Sequence, residues 1–426
     1  MTDGKPSAAV DRASKAPASP TDPTERIVSL DALRGFALLG ILVINMWYFS
    51  MPLAGAVLPP TYGDFTGMNY AAWVVGHVFF EMKFVTLFTL LFGAGIVLFT
   101  ENKERKGQPA MLLHYRRTFW LLVIGLGHAY LLWYGDILVS YALCALIIVP
   151  ARKWAPRTLL WVGLAMFAVP AALYLLMAGF LFGIGGEAIA AETEAQIELG
   201  FDATEEAIAA ELETYRGSWT DQFDHRAGTA FDMQTIQFAF GNFWQLGGIM
   251  LIGMALFKRG ILSNDRSRVF YWRVFLAGLA IGVPLTALGV IYKQSVDWST
   301  LEVVLIGFQF TYWASLPLAG AYMAGVMLWC KGYTHGFITS ALAAVGRTAF
   351  SNYLLQTVIA TTVFYGHGLG LFGHISRADG LALVIAIWAI QIPLSMLWLR
   401  YFRFGPVEWV WRTVTYRSRQ PLRHRT

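Results

Sequence analysis

The apolar positions of this chain fall in long runs rather than in amphipathic stripes. About ten stretches of roughly twenty predominantly apolar residues lie near 33–51, 73–99, 117–134, 136–151, 158–184, 239–257, 273–292, 302–330, 348–366 and 380–400. A helix needs about 20 such residues to cross a hydrocarbon core roughly 30 Å thick. The pattern predicts an all-α, polytopic membrane helix bundle of about ten transmembrane helices, with residues 26–417 as a single integral membrane domain. The second run is expected to open with a half-helix, and the fourth is short. No internal repeat of the kind that builds many transporters is visible.

The polar segments complete the plan. Residues 185–238 contain "EAIAAETEAQIEL" and "ATEEAIAAELETY", both with helical periodicity and dense in glutamate, which predicts one or two helices over one face. In 404–416, Pro406 can start a helix, Glu408 and Arg412 are four apart, and Trp409 and Trp411 suit a membrane surface, so an interfacial helix is expected. Residues 1–25, rich in Pro, Ala, Ser, Asp and Lys, cannot bury a core and are expected to form a disordered tail. Residues 418–426 form a basic C-terminal tail.

Charge sets the expected orientation. Lys103, Arg105, Lys106, Arg116, Arg117, Arg152, Lys153, Arg157, Lys258, Arg259, Arg266 and Arg268 share one side with both tails if both termini are cytoplasmic. The acidic 185–238 loop then lies outside. Of the 426 residues, 56% are hydrophobic and 14% charged, and the mean hydropathy is +0.52, which excludes an ordinary soluble domain. The net charge of +5 is spread over loops, so no nucleic-acid surface is predicted. Cys144 and Cys330 sit in apolar runs as buried side chains. The histidines lack metal-ligand spacing, so no metal is expected.

Ionisable residues inside apolar runs carry the candidate chemistry. Asp31 and Arg34 share a face at the start of the first run. They either cap and anchor the helix or receive an anionic group. Asn45, near the other end, is a candidate interhelical hydrogen-bonder. His77 and Glu81 are four apart, with Lys83 close behind. His128 and Asp136 lie at neighbouring helix ends, where an acid beside an imidazole suits a general base, or a bonded histidine beside a turn aspartate. Thr348, Ser351, Asn352 and Gln356 form a polar stripe after Arg347, lining a cavity or joining helices.

Six stretches, "SLDALRGFALLGILVINM", "KFVTLFTLLFGAG", "GHAYLLWYGDIL", "WQLGGIMLIGMAL", "GRTAFSNYLLQ" and "WLRYFRFGPVEWVWRTVTY", occur in the order of the YeiB-like bacterial inner-membrane family (domain of unknown function 418). From Arg26 to Arg417 the chain resembles that family. "LDALRG" is also similar to the first helix of heparan-α-glucosaminide N-acetyltransferase and, more loosely, of other transmembrane acyltransferases. That resemblance implies an acyl donor, acyl-CoA, bound from the cytoplasm near Asp31 and Arg34, and an acceptor end near Asn45. The histidines those enzymes use, after the first helix or just before the motif, have no counterpart here. The catalytic candidates are therefore His128 with Asp136, then His77 with Glu81, and Asn45. The donor-binding candidates are Asp31, Arg34, Lys83, Arg347, Asn352 and Gln356, with Asn45 or Tyr130 for oxyanion stabilisation.

Three functions stay open on the sequence. One is acyl transfer from acyl-CoA to a hydroxyl or amine of a sugar, envelope glycan, lipid or small metabolite. Another is transport of a small solute or lipid. The last is a non-catalytic role in envelope assembly, with the acidic loop as docking surface. The partners expected are the bilayer, the donor and the acceptor. Nothing in the pattern sets the oligomeric state, a homodimer included.

Overall fold

The structure is a computed structural model that describes residues 26–201 and 203–424. The tail expected over 1–25 lies outside the described residues. Among those described, the chain is all-helical, with one isolated bridge between Phe402 and Arg423 in place of any strand.

The chain begins with α1 (Val28–Ser50), which has Asp31 in its first turn, where a carboxylate favours the helix dipole. A short α2 (Leu53–Val57) follows. Next come α3 (Gly67–Phe79) and α4 (Lys83–Arg105), which the run at 73–99 joined and which break at Phe80–Met82. Then follow α5 (Ala110–Leu131), the short α6 (Leu138–Ile148) and α7 (Pro156–Phe180), the last opened by a proline whose missing N–H costs nothing there. The acidic segment forms three helices, α8 (Gly186–Gly200), α9 (Glu205–Arg216) and α10 (Phe223–Gln234). The first two coincide with the two quoted repeats of apolar spacing. The chain continues with α11 (Phe243–Lys258), α12 (Arg268–Ser295), α13 (Thr300–Glu302), α14 (Phe308–Gly332), α15 (Phe337–Arg347), α16 (Ala349–Phe364), α17 (Arg377–Tyr401) and α18 (Pro406–Tyr416).

Among the described residues, seven stretches are long and apolar enough to cross a membrane: Val28–Ser50, Gly67–Arg105, Pro156–Arg216, Phe223–Lys258, Arg268–Ser295, Thr300–Gly332 and Arg377–Tyr401. Each contains one expected run. The other three runs fall on α5, α6 and α16, which are shorter or carry more polar residues. The protein is thus a multi-pass membrane protein.

Arg26, just before α1, and Arg412 of α18 line one cavity, so both ends of the described chain meet at one face, here the terminal face. Helices α8–α10 lie at the other, distal face. Arg226 donates to the Tyr130 carbonyl and Trp219 to the Leu131 carbonyl at the end of α5, while Glu211 accepts from the Leu53 amide beyond α1.

Helix pairs approach closely where glycines permit it. A Cβ on Gly93 would stand 2.1 Å from the Met250 carbonyl oxygen, and one on Gly253 2.1 Å from that of Leu90, which locks α4 against α11. A Cβ on Gly346 would stand 1.8 Å from the Asp31 carbonyl oxygen, and one on Gly35 2.0 Å from that of Leu342, so α15 lies directly on α1. Gly95, by contrast, faces open space. We expect Gly346→Ala to lower stability by about 1–3 kcal/mol, because α15 must move off α1, and Gly95→Ala to change it by less than about 0.5 kcal/mol. Thermal melting of the two purified variants checks the contrast.

Candidate functional site

A cavity of about 300 Å³ opens at the terminal face between α1, α4, α5, α6, α16 and α18. Five arginines surround its mouth: Arg26, Arg34, Arg117, Arg347 and Arg412. Among the described residues, two carboxylates face them there, Asp31 and Glu408. Asp31 is shared, with Arg34 Nη1 at 2.9 Å from Oδ1 and Arg26 Nη1 at 3.7 Å from Oδ2. Glu408 is committed elsewhere. It accepts from the Phe350 amide at 2.7 Å and the Ser351 amide at 3.2 Å, and from the Ser351 hydroxyl, so it caps the start of α16. Burial pushes the Glu408 carboxyl above the usual carboxylate range, against the pull of these donors.

The arginines are held by stacking as much as by charge. Arg117 lies 4.4 Å from the Trp411 ring centre and 4.9 Å from that of Phe99, and Arg412 lies 4.6 Å from that of Phe404. Stacked guanidinium groups keep their N–H edges free for a ligand. The Arg347 Nε is buried without a hydrogen-bond partner.

Beyond the mouth the walls are mostly apolar, with Leu38, Ile41, Phe88, Leu91, Phe92 and Leu121, broken by His114, Thr118 and Tyr141. From Leu30 to Ile41 the lining follows about 16 Å of helix rise, roughly half a bilayer core. Tyr353 and Ile137 lie on the lining too. The Tyr353 hydroxyl is buried and makes no hydrogen bond of ordinary geometry. Its ring centre lies 5.1 Å from that of His128.

His128 belongs to a buried three-member chain. Its Nδ1 lies 2.8 Å from Asp136 Oδ1 and its Nε2 2.9 Å from Thr357 Oγ1. Asp136 Oδ2 accepts from the Val139 amide at 2.8 Å, fixing the start of α6. A carboxylate on Nδ1 selects the tautomer that leaves Nε2 as base, with the threonine hydroxyl donating to it. The same order recurs elsewhere: Glu81 contacts His77 Nδ1, and His77 Nε2 lies 3.0 Å from Thr311 Oγ1. Lys83 Nζ donates to the His77 carbonyl at 2.7 Å. In hydrocarbon every such group must be satisfied internally, so each chain also has a purely structural use.

The sequence candidates therefore separate into groups. Asp31, Arg34 and Arg347 meet at the cavity mouth. His128 and Asp136 touch each other behind Tyr353. His77, Glu81 and Lys83 gather at the α3–α4 break, away from the cavity lining. Asn352 and Gln356 are spent on α17, because Asn352 Nδ2 donates to Ser395 Oγ and Gln356 Nε2 to Gln391 Oε1, both at 2.9 Å. Asn45 is half-buried and off the lining. Tyr130 donates to Gln234 Oε1 at 3.3 Å. Sequence reasoning passed over Tyr353, Thr357, Thr311 and His114, took Arg117 only as a topology charge, and took Arg412 as that and as the i,i+4 partner of Glu408. Thr357, one turn past Tyr353 on the polar stripe, could have been found from spacing. Among the described residues no cluster of three or more His, Cys, Asp or Glu could hold a metal ion.

Residues 256–418 match a family described as "Protein of unknown function (DUF418)". The chain is 34% identical to the uncharacterized protein YeiB of Escherichia coli (strain K12), over 94% of this chain and 99% of that one. It is 31% identical to the uncharacterized protein YxaH of Bacillus subtilis (strain 168), over 96% and 98% respectively. A Bacillus acidopullulyticus protein described by its place in the amylase 3′ region is 28% identical over 93% of this chain and 96% of its own length. No solved structure matches the chain. With relatives this similar along nearly their whole length, the chain belongs to the YeiB-like DUF418 family.

Proposed function

We propose that the protein is an integral-membrane acyltransferase that takes an acyl group from cytoplasmic acyl-CoA and gives it to a hydroxyl or amine of a sugar, envelope glycan, lipid or small metabolite. The observation that carries this reading is the arginine-ringed mouth of an otherwise apolar cavity whose lining includes the tyrosine packed on the His128 chain. Five guanidinium groups against two carboxylates suit the phosphates of CoA, which arginine grips bidentately. The apolar walls suit an acyl thioester, and the volume sits at the low end of ligand pockets. On this reading the terminal face is cytoplasmic, the acidic cap lies outside, and the bundle crosses the bacterial inner membrane about ten times.

The chemistry follows from the residues at hand. The acceptor oxygen or nitrogen bonds to the thioester carbonyl carbon, and the C–S bond breaks to release CoA. The acceptor's proton passes to His128 Nε2, directly or through the Thr357 hydroxyl, while Asp136 steadies the imidazolium, which then gives the proton to the departing CoA thiolate. The Tyr353 hydroxyl, which lies on the cavity lining, donates to the developing oxyanion, a role for which it is better placed than Asn45 or Tyr130. Tyr353 also separates His128 from the cavity, so its ring must shift as the acceptor arrives. Transport is the second reading, favoured by one observation: the α3–α4 helix breaks beside buried charges, as ion-coupled carriers do. Solute uptake by proteoliposomes without consumption of acyl-CoA would favour it.

Two experiments test the proposal. Calorimetric titration of CoA into the protein in lipid nanodiscs should show binding, and Arg117→Gln with Arg412→Gln should weaken it about tenfold or more. Well-folded wild-type protein that binds no CoA contradicts the reading. In membrane vesicles that supply envelope acceptors, His128→Gln should cut acyl-CoA consumption by about 10²–10⁴ while leaving CoA affinity within about twofold of wild type. Equal consumption by variant and wild type removes His128 from the mechanism.

A further inference from the structure

We propose that His114, Thr118 and Gly95 form the subsite for the pantoyl head of the donor's arm, the hydroxy amide and paired methyl groups that follow the phosphates of CoA. The inference rests on the acyl-CoA reading and says how the arm is recognised just inside the arginine mouth.

The three residues lie where that group must fall. Thr118 follows Arg117 on α5, and Gly95 lies one turn from Phe99 on α4, the ring over which Arg117 stacks. All three line the cavity together with the arginines. The pantoyl hydroxyl-bearing carbon stands about 5 Å of extended chain beyond the last phosphate, and one helical turn rises about as far. A hydroxyl and an amide carbonyl taken into a mostly apolar passage are costly unless the wall supplies an acceptor and a donor.

The α5 wall supplies both, one turn apart. His114 and Thr118 are each only 3% exposed. Among the described residues the His114 ring makes two hydrogen-bond contacts, both through Nε2: the Ala145 carbonyl oxygen at 3.3 Å and Thr118 Oγ1 at 3.4 Å. A carbonyl only accepts, so Nε2 carries the proton and Nδ1 is a bare acceptor. Nδ1 takes part in neither contact and is not sealed in the core, so it opens on the cavity that the ring lines. Thr118 Oγ1 accepts from the ring, which leaves its hydroxyl hydrogen to give. An acceptor and a donor on one wall match a hydroxyl and a carbonyl on neighbouring carbons. Tyr141, also on the lining, is spent on Thr89.

Room for the paired methyl groups comes from α4. Gly93 and Gly95 stand two apart, and packing needs the first: a Cβ there meets the Met250 carbonyl oxygen. Among the described residues nothing stands within 4 Å of where a Cβ on Gly95 would be, although Gly95 lies on the cavity wall. The space its missing side chain leaves therefore belongs to the cavity, at the level where the arm is widest.

Calorimetric titration in lipid nanodiscs tests the subsite with two ligands: CoA, and the adenine nucleotide that remains when CoA loses its pantetheine. Wild-type protein should bind CoA about tenfold or more tightly than the nucleotide. His114→Phe and Thr118→Val should each weaken CoA binding about tenfold, and Gly95→Leu at least as much, because the leucine fills the gap. All three should hold the nucleotide within about twofold of wild type, which also shows that they fold; if one does not, the other two decide. CoA binding that survives the substitutions, a loss shared equally by the nucleotide, or wild-type protein that binds both ligands equally overturns the proposal and leaves the arginine mouth standing. Wild-type protein that binds neither ligand overturns the acyl-CoA reading itself.

Discussion

A polar group inside hydrocarbon has no water to turn to, so the protein itself must satisfy it. That constraint shapes the bundle. It explains why Asn352 bonds Ser395 and Gln356 bonds Gln391, zipping α16 to α17. It explains why His77 and His128 use both ring nitrogens, one on an acid and one on a threonine. Tyr141 and Thr89 pair at 2.7 Å for the same reason. Among the buried groups left without a partner, two stand on the lining of the terminal cavity: the Tyr353 hydroxyl and Arg347 Nε. They are where a ligand has something to gain.

The arginine mouth depends on the helix break between α15 and α16. Close packing of Gly346 on Asp31 brings Arg347 next to Arg34, and α16 then restarts at Ala349. Its opening amides need an acceptor, and Glu408 supplies it from α18. That bond, with Trp411 donating to the Arg117 carbonyl and Arg116 donating to the Thr415 carbonyl, seats α18 across the cavity. Thus a capping carboxylate from the last helix delivers Arg412 and Trp411 to a site begun by the first. Glu408 caps α16 as well as facing Arg412, and with Asp31 it still leaves the five arginines of the described lining in excess.

Much of this was legible in the sequence, and what was not has physical causes. Long apolar runs report hydrocarbon contact directly, so the helices of the bundle stood out. The acidic repeats of α8 and α9 carried a helical period, whereas α10, with few apolar residues, did not. His128 and Asp136 were paired in expectation because a tight turn brings neighbouring helix ends together. Thr357 and Thr311 arrive from helices more than two hundred residues away, a distance no local spacing encodes. Polar residues at 352 and 356 gave one stripe whether they faced a hollow or a helix, so only packing could separate those uses.

The central claim is that the cavity takes a phosphate-headed acyl donor from the face where the chain ends meet. The most direct measurement is a density map of the protein purified with a non-hydrolysable acyl-CoA analogue. The account predicts phosphate density among Arg34, Arg117, Arg347 and Arg412, with the acyl arm running past Leu38 and Phe92 and the thioester mimic beside Tyr353. A saturated sample whose analogue lies elsewhere, leaving this cavity empty or filled only by repacked side chains, would contradict it.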